Sequence, residues 1–134
     1  MPSNINQFDK ELRFFAEVQV PQEFNAIVQK LSLEILRRIV IKTPVDTGRA
    51  RGNWMVAINS IPQGTIEIEK LSESQAQAFA LSNGIPIIKS AKPFTAISIA
   101  NNLPYIGVLE MGSSKKAPQG MVRVSLAEIQ ATFG

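Results

Sequence analysis

Ile5, Phe8, Leu12, Phe15 and Val18 recur at helical spacing, with Phe14 widening the apolar face, and predict an amphipathic helix over about residues 5–18. Val20-Pro21 predicts its end, because the residue before a proline is pushed away from helical backbone angles. A longer helix is predicted from about Gln22 to Lys42. Phe24, Ile27, Val28, Leu31, Ile35 and Ile39 mark one face, and Leu33, Leu36, Val40 and Ile41 extend it. A stripe this wide suits a helix contacted on more than one side. Pro44 stops that helix, and Arg37, Arg38 and Lys42 suit its negative dipole end.

Farther along, the period changes. Trp54, Val56 and Ile58 alternate with Met55, Ala57 and Asn59, as in a strand. Pro62-Gln63-Gly64 signals a turn, and Thr65-Ile66-Glu67-Ile68-Glu69 alternates again, so the two runs predict a hairpin. Ser72 with Gln75 fits a capping box and Asn83-Gly84 a helix stop, which predicts a short helix over Ser72–Ser82. Thr95, Ile97 and Ile99 give one more strand, and residues 104–111 one or two helical turns beginning at Pro104. At the C-terminus, Val122, Leu126, Ile129 and Phe133 fit a helix while Val122, Val124 and Leu126 fit a strand; the longer helical pattern is preferred. The element order predicts an α+β fold: two N-terminal helices packed on a small, mostly antiparallel sheet, with a short middle helix and a C-terminal helix. One domain over 1–134 is expected, with residues 1–20 a candidate arm.

Composition narrows the chemistry. At 134 residues and 45% apolar content the chain can bury a core and is not broadly disordered. Without cysteine it has neither disulfides nor thiolate metal ligands, and without histidine it lacks the commonest general base and transition-metal ligand. Glu67 and Glu69 are the one close carboxylate pair on a predicted strand face, where solvation is the simpler role. No cofactor or metal is expected. The polar start, Met1-Pro2-Ser3-Asn4, and the short apolar runs predict a soluble intracellular protein with no membrane partner. A net charge of +3 permits a nucleic-acid or acidic-protein neighbour without the dense basic stripe of a dedicated DNA-binding domain.

Most of the unusual residues fall in two turn-rich segments, Thr43–Trp54 and Asn101–Gly112. Asp46-Thr47-Gly48 matches the catalytic tripeptide of aspartic proteases, whose paired carboxylates share a proton. That chemistry needs the tripeptide at a strand end, yet Pro44 precedes it closely. Arg49 follows, and a cation there would depress the aspartate pKa. As a turn the same residues make direct sense, Asp capping and Gly supplying positive φ. Arg49, Arg51 and Trp54 could hold nucleic acid through phosphate contacts and stacking, against a core role for the indole and a solvated or interfacial one for the arginines. Lys115-Lys116 lies in a Gly-Ser-rich loop suited to docking. Tyr105 and Glu110 could form an acid–base pair, but no nucleophile, phosphate cradle or metal cage accompanies them; packing for Tyr105 and a hydrogen bond or ion pair for Glu110 fit better.

Four ordered blocks together carry a resemblance. They are Thr43–Trp54 (TPVDTGRARGNW), Asn101–Tyr105 (NNLPY), Leu109–Ser114 (LExGxS) and Ala117–Val122 (APxGMV), at the end of a helix and spanning about Leu31 to Leu126. The chain resembles the tailed-bacteriophage family of small neck or minor tail proteins, the gene-product-ten-like tail components of lambdoid siphophages, grouped with tail-completion proteins. The first helix and residues 60–95 carry little of the likeness. The resemblance implies a non-enzymatic virion component at the head–tail junction, assembled in the host cytoplasm. It implies a ring of identical subunits, a hexamer by analogy with sixfold tail tubes. It also implies contact with neighbouring head-completion or adaptor rings and with tail-terminator or tail-tube proteins, and DNA in the channel is a further potential neighbour. A tail terminator that caps the tube is the nearest alternative role. Ring interfaces are heterologous, so one patch meets a different patch on the next copy. Arg49, Arg51, Tyr105, Glu110, Lys115 and Lys116 are the implied contact residues. Pro44, Asp46, Gly48, Trp54, Pro104, Leu109, Gly112 and Met121 are expected to shape or position the loops, and the loops 43–53 and 112–120 to stay mobile until they meet a partner.

Overall fold

The computed structural model describes residues 2–112 and 114–133, with side chains from Asn6 onward; Ser113 and the Ile5 side chain lie outside that set. The fold is α+β and mostly helical. Its elements run α1 (Pro2–Phe14), a π turn (Phe15–Gln19), α2 (Val20–Lys42), α3 (Arg49–Gly52), β1 (Met55–Ile58), α4 (Glu73–Lys89), β2 (Ile97–Ala100), α5 (Ile106–Glu110) and α6 (Val122–Phe133).

The break predicted at Val20-Pro21 does not occur. Helical structure continues through it, because the chain widens just before the proline: the Val20 amide donates to the Phe15 carbonyl, five residues back. In a regular α-helix the Pro21 ring would press on the carbonyl four residues earlier, and a wider turn there relieves the clash. α1, the π turn and α2 therefore follow one another without a loop.

α2 is the centre of the body and packs against both α4 and α6. Leu36, Ile39 and Val40 are buried with Trp54, Val56, Ala80, Ile88, Ala117 and Met121 in one cluster. Each fully buried aliphatic side chain there contributes about 1.5–3 kcal/mol. Thr43 ends α2 in an extended conformation, as Pro44 requires.

β1 pairs antiparallel with β2, Met55 opposite Ala100 and Ile58 opposite Ile97. The predicted hairpin with residues 65–69 is not formed. Its place is taken by one side chain: buried Asn53 donates through Nδ2 to the Ile66 carbonyl at 3.0 Å and accepts the Ile66 amide on Oδ1 at 2.7 Å. An amide side chain carries the same donor and acceptor as a peptide, so a single residue ties down the 65–69 segment without a ladder.

The Ser72–Gln75 capping box is present, but α4 continues past Asn83-Gly84 to Lys89. Gly84 serves close packing rather than helix termination. A Cβ at this position would lie 2.7 Å from Leu36 Cδ2 and 2.9 Å from Val56 Cγ2, so only glycine lets α4 approach α2 and β1. The C-terminal segment is the preferred helix. Its buried face is Met121, Ser125 and Ile129, whereas Leu126 and Phe133 remain exposed.

Candidate functional site

The two turn-rich segments lie side by side. Asn101 Nδ2 donates to the Ala50 carbonyl at 2.8 Å, while its Oδ1 accepts the Leu103 amide at 3.2 Å. This pair of bonds fixes the start of the second segment against α3. Between the segments opens a groove of about 700 Å³. Its walls are Pro44, Val45, Asp46, Thr47, Arg49 and Ala50 from one side and Tyr105 and Leu109 from another. Ile68 and Glu69, and then Ser114, Lys115 and Lys116, complete it.

The first wall is held rigidly. Gly48 at φ 84° precedes α3, and a Cβ there would fall 2.8 Å from both Leu71 Cβ and the Leu71 carbonyl oxygen. The Leu71 amide in turn donates to the Thr47 carbonyl at 2.7 Å. Behind the wall, Arg51 is buried and donates to the carbonyls of Thr43 (3.1 Å), Ile41 (2.8 Å) and Glu73 (3.2 Å). The guanidinium thus caps the last carbonyls of α2 and ties them to the start of α4. Burial pulls its pKa below the usual arginine value, and the nearby Glu73 charge offsets part of that.

Arg51 therefore departs from the expected contact role: its fork is spent inside the chain. Arg49, two residues earlier, is exposed on the groove. The 43–53 segment is also no open loop, since Thr43, Gly48 and Ala50 through Trp54 are buried.

Glu110 is placed at the N-terminus of α6 and is not part of the groove's lining. Its carboxylate accepts the amides of Met121 (2.9 Å), Val122 (2.8 Å) and Arg123 (3.0 Å), and the Arg123 side chain at 3.2 Å. Partial burial alone would raise its pKa. The amides of Val122, Arg123 and Met121 and the Arg123 guanidinium outweigh burial and hold the carboxyl below its ordinary value. Gly120, at φ 86°, leaves the space that this carboxylate occupies. Glu110 is a helix cap rather than a groove-facing contact. Gly112, at φ 92°, sits against the Pro118 carbonyl, and buried Ala117 anchors the 112–120 loop in the core.

Arg49, Tyr105, Lys115 and Lys116 thus share the groove with Pro44, Asp46 and Leu109, and Tyr105, at 39% exposure, does not take the buried packing role its sequence context suggests; Trp54 and Met121 are core residues and Pro104 is exposed beside α5. Lys116 Nζ donates to the Val45 carbonyl at 3.1 Å and so bridges the mouth. Among the described residues, the ion pairs leave Arg49 and Lys115 without a carboxylate partner. Asp46 lies at a bend between α2 and α3, not at a strand end. The alternation over residues 65–69 predicts a strand with Ile68 and Glu69 on opposite faces, and it carries no signal for their shared place in the groove. Among the described residues no three His, Cys, Asp or Glu side chains gather as a metal site, and no helix is long and apolar enough to cross a membrane.

What the groove offers is an apolar floor of Pro44, Val45, Ala50, Ile68 and Leu109 edged by three cations and two carboxylates. The cations outnumber the carboxylates, so the chemistry of this surface is complementary to an apolar segment with acidic flanks. No protein-family model, curated protein or solved structure matches the chain.

Proposed function

We propose that this chain is a structural subunit of the head–tail junction of a tailed bacteriophage, a ring-forming neck or tail-completion protein. The observation that carries the reading is convergence. Three of the four blocks behind the family resemblance are far apart in sequence, yet they supply most of one groove, Arg49 included, and Lys115 and Lys116 from the stretch between the last two blocks complete its edge. The groove holds carboxylates (Asp46, Glu69) and hydroxyls (Thr47, Ser114), but among the described residues no hydrogen bond joins one to another as a base is joined to a nucleophile; what the lining supplies is shape and charge. In a ring, the groove would receive a segment of the next subunit or of an adjoining ring, a heterologous contact that closes by rotation.

The test is complementation of a phage lacking this gene with an Arg49→Glu, Lys115→Glu variant. Filled heads and finished tails should accumulate unjoined in electron micrographs. Joined particles of wild-type infectivity would sink the reading. Tails of irregular length would point instead to a terminator that caps the tube. A gel shift with steep salt dependence would indicate DNA binding, and acid-optimal peptide cleavage lost on Asp46→Asn a protease.

A further inference from the structure

Every residue from Asn6 to Val20 is exposed, although this stretch carries many of the chain's aromatic residues. Phe8, Leu12, Phe15, Val20, Phe24 and Ile27 line one side of the α1–α2 rod, with Phe8 65% and Ile27 58% exposed. The spacing is four, three, five, four and three. The step of five, Phe15 to Val20, falls across the π turn, where residues five apart stack as residues four apart do in an α-helix. The stripe is therefore continuous for roughly 28 Å. Where it meets the body, Phe24 stacks on Phe94 at 6.2 Å between ring centroids. Phe94 is 77% exposed and held at φ 62°, a backbone region costly for a bulky residue. An apolar surface of this length marks an interaction site.

We propose that the occupant is the same stripe of a second copy, packed antiparallel about a two-fold axis. A two-fold interface must be self-complementary, residue i meeting j and j meeting i. The stripe satisfies this. Phe8 and Leu31, Leu12 and Ile27, and Phe15 and Phe24 are each equidistant from one midpoint, between Gln19 and Val20. Antiparallel pairing thus sets Leu12 against Ile27 and Phe15 against Phe24, with Phe8 reaching the half-buried Leu31 and Val20 opposite Gln19 at the centre, and it lands Phe15 of one copy beside the Phe24–Phe94 stack of the other. Charge agrees with this arrangement. The mirror position of Lys30 is Asp9, with Glu11 two residues on, so an antiparallel pair brings opposite charges near one another across the axis; within its own copy the Lys30 Nζ lies 5.5 Å from the centre of the Phe133 ring. This contact is separate from the groove and does not depend on the neck reading.

The cysteine-free chain allows a direct test. Purified full-length protein should sediment as a dimer or an even-numbered assembly. Phe8→Asp with Phe15→Asp, both at exposed sites, should weaken that association at least about tenfold with an unchanged circular dichroism spectrum. Leu12→Cys and Ile27→Cys chains should form a disulfide when mixed and oxidised, and neither should do so alone. A monomer at about 100 µM, efficient Leu12→Cys self-cross-linking, or a monomer that partitions onto lipid vesicles would each overturn the proposal.

Discussion

The indole N–H of Trp54 donates to the hydroxyl of Thr43 at 2.7 Å, and that hydroxyl donates in turn to the Ile39 carbonyl at the same distance. Both residues are buried, so the chain of bonds sews β1 to the last turn of α2 inside the core. Trp54→Ala should cost about 3–5 kcal/mol through the cavity it leaves. Thr43→Val keeps the shape but orphans the indole, at about 1–3 kcal/mol. Urea midpoints at a constant slope would measure both; an unchanged midpoint for either would place that side chain outside the cooperative core.

Two arginines two residues apart should behave as opposites. Arg51→Met strips three carbonyls of their donor and should destabilise by about 3 kcal/mol. Arg51→Lys should recover only part of this, because a single ammonium cannot span the positions reached by the planar fork. Arg49→Glu lies on the surface and should shift stability by no more than about 0.5 kcal/mol. Thermal melts of the three variants test the division directly.

Acid should loosen the junction between α5 and α6. Glu110 has a folded pKa below its unfolded value, so the unfolded chain binds the proton more readily. Its stabilisation is therefore present above the unfolded glutamate pKa, about 4.3, and is lost as pH falls through the folded value. Glu128 shares the sign, held low first by its hydrogen bond to Lys42 against some desolvation, with Lys42 and Arg38 charges adding. Glu110→Gln should cost about 1 kcal/mol at neutral pH and flatten, without abolishing, the decline below pH 5. An unaltered acid limb would mean that the cap contributes nothing.

Gly84→Ala sets helix propensity against packing. Alanine favours the helix by up to about 1 kcal/mol, but its methyl would overlap two buried side chains, one of them the stiff, β-branched Val56. Overpacking of this kind costs about 1–3 kcal/mol, so net destabilisation is expected. A raised melting temperature would show that α4 can slide away from α2 cheaply.

Legibility in the sequence followed the range of the interactions. The Ser72–Gln75 cap and the alternation at Met55–Ile58 are local and were readable. Gly84 and Pro21 were misread because each looks like a stop when only its neighbours in sequence are considered. Gly84 answers to Leu36, forty-eight positions away, and Pro21 to a turn that no apolar pattern announces. Residues 65–69 alternate as a strand would, yet Asn53 occupies their pairing groups, and no periodicity reports the target of a side-chain amide. For the groove, residue types suggested the cationic edge. Only the fold separates Arg49, at the surface, from Arg51, behind the wall, and shows Glu110 turned toward α6.

The wide turn at Phe15–Gln19 cannot wander. Elsewhere in a helix an extra residue could be handed from one turn to the next, but Pro21 is comfortable only while the loosened turn sits directly before it. The direction in which the rod leaves the body is thereby built into the covalent chain, and a partner meets a spar already set at its angle.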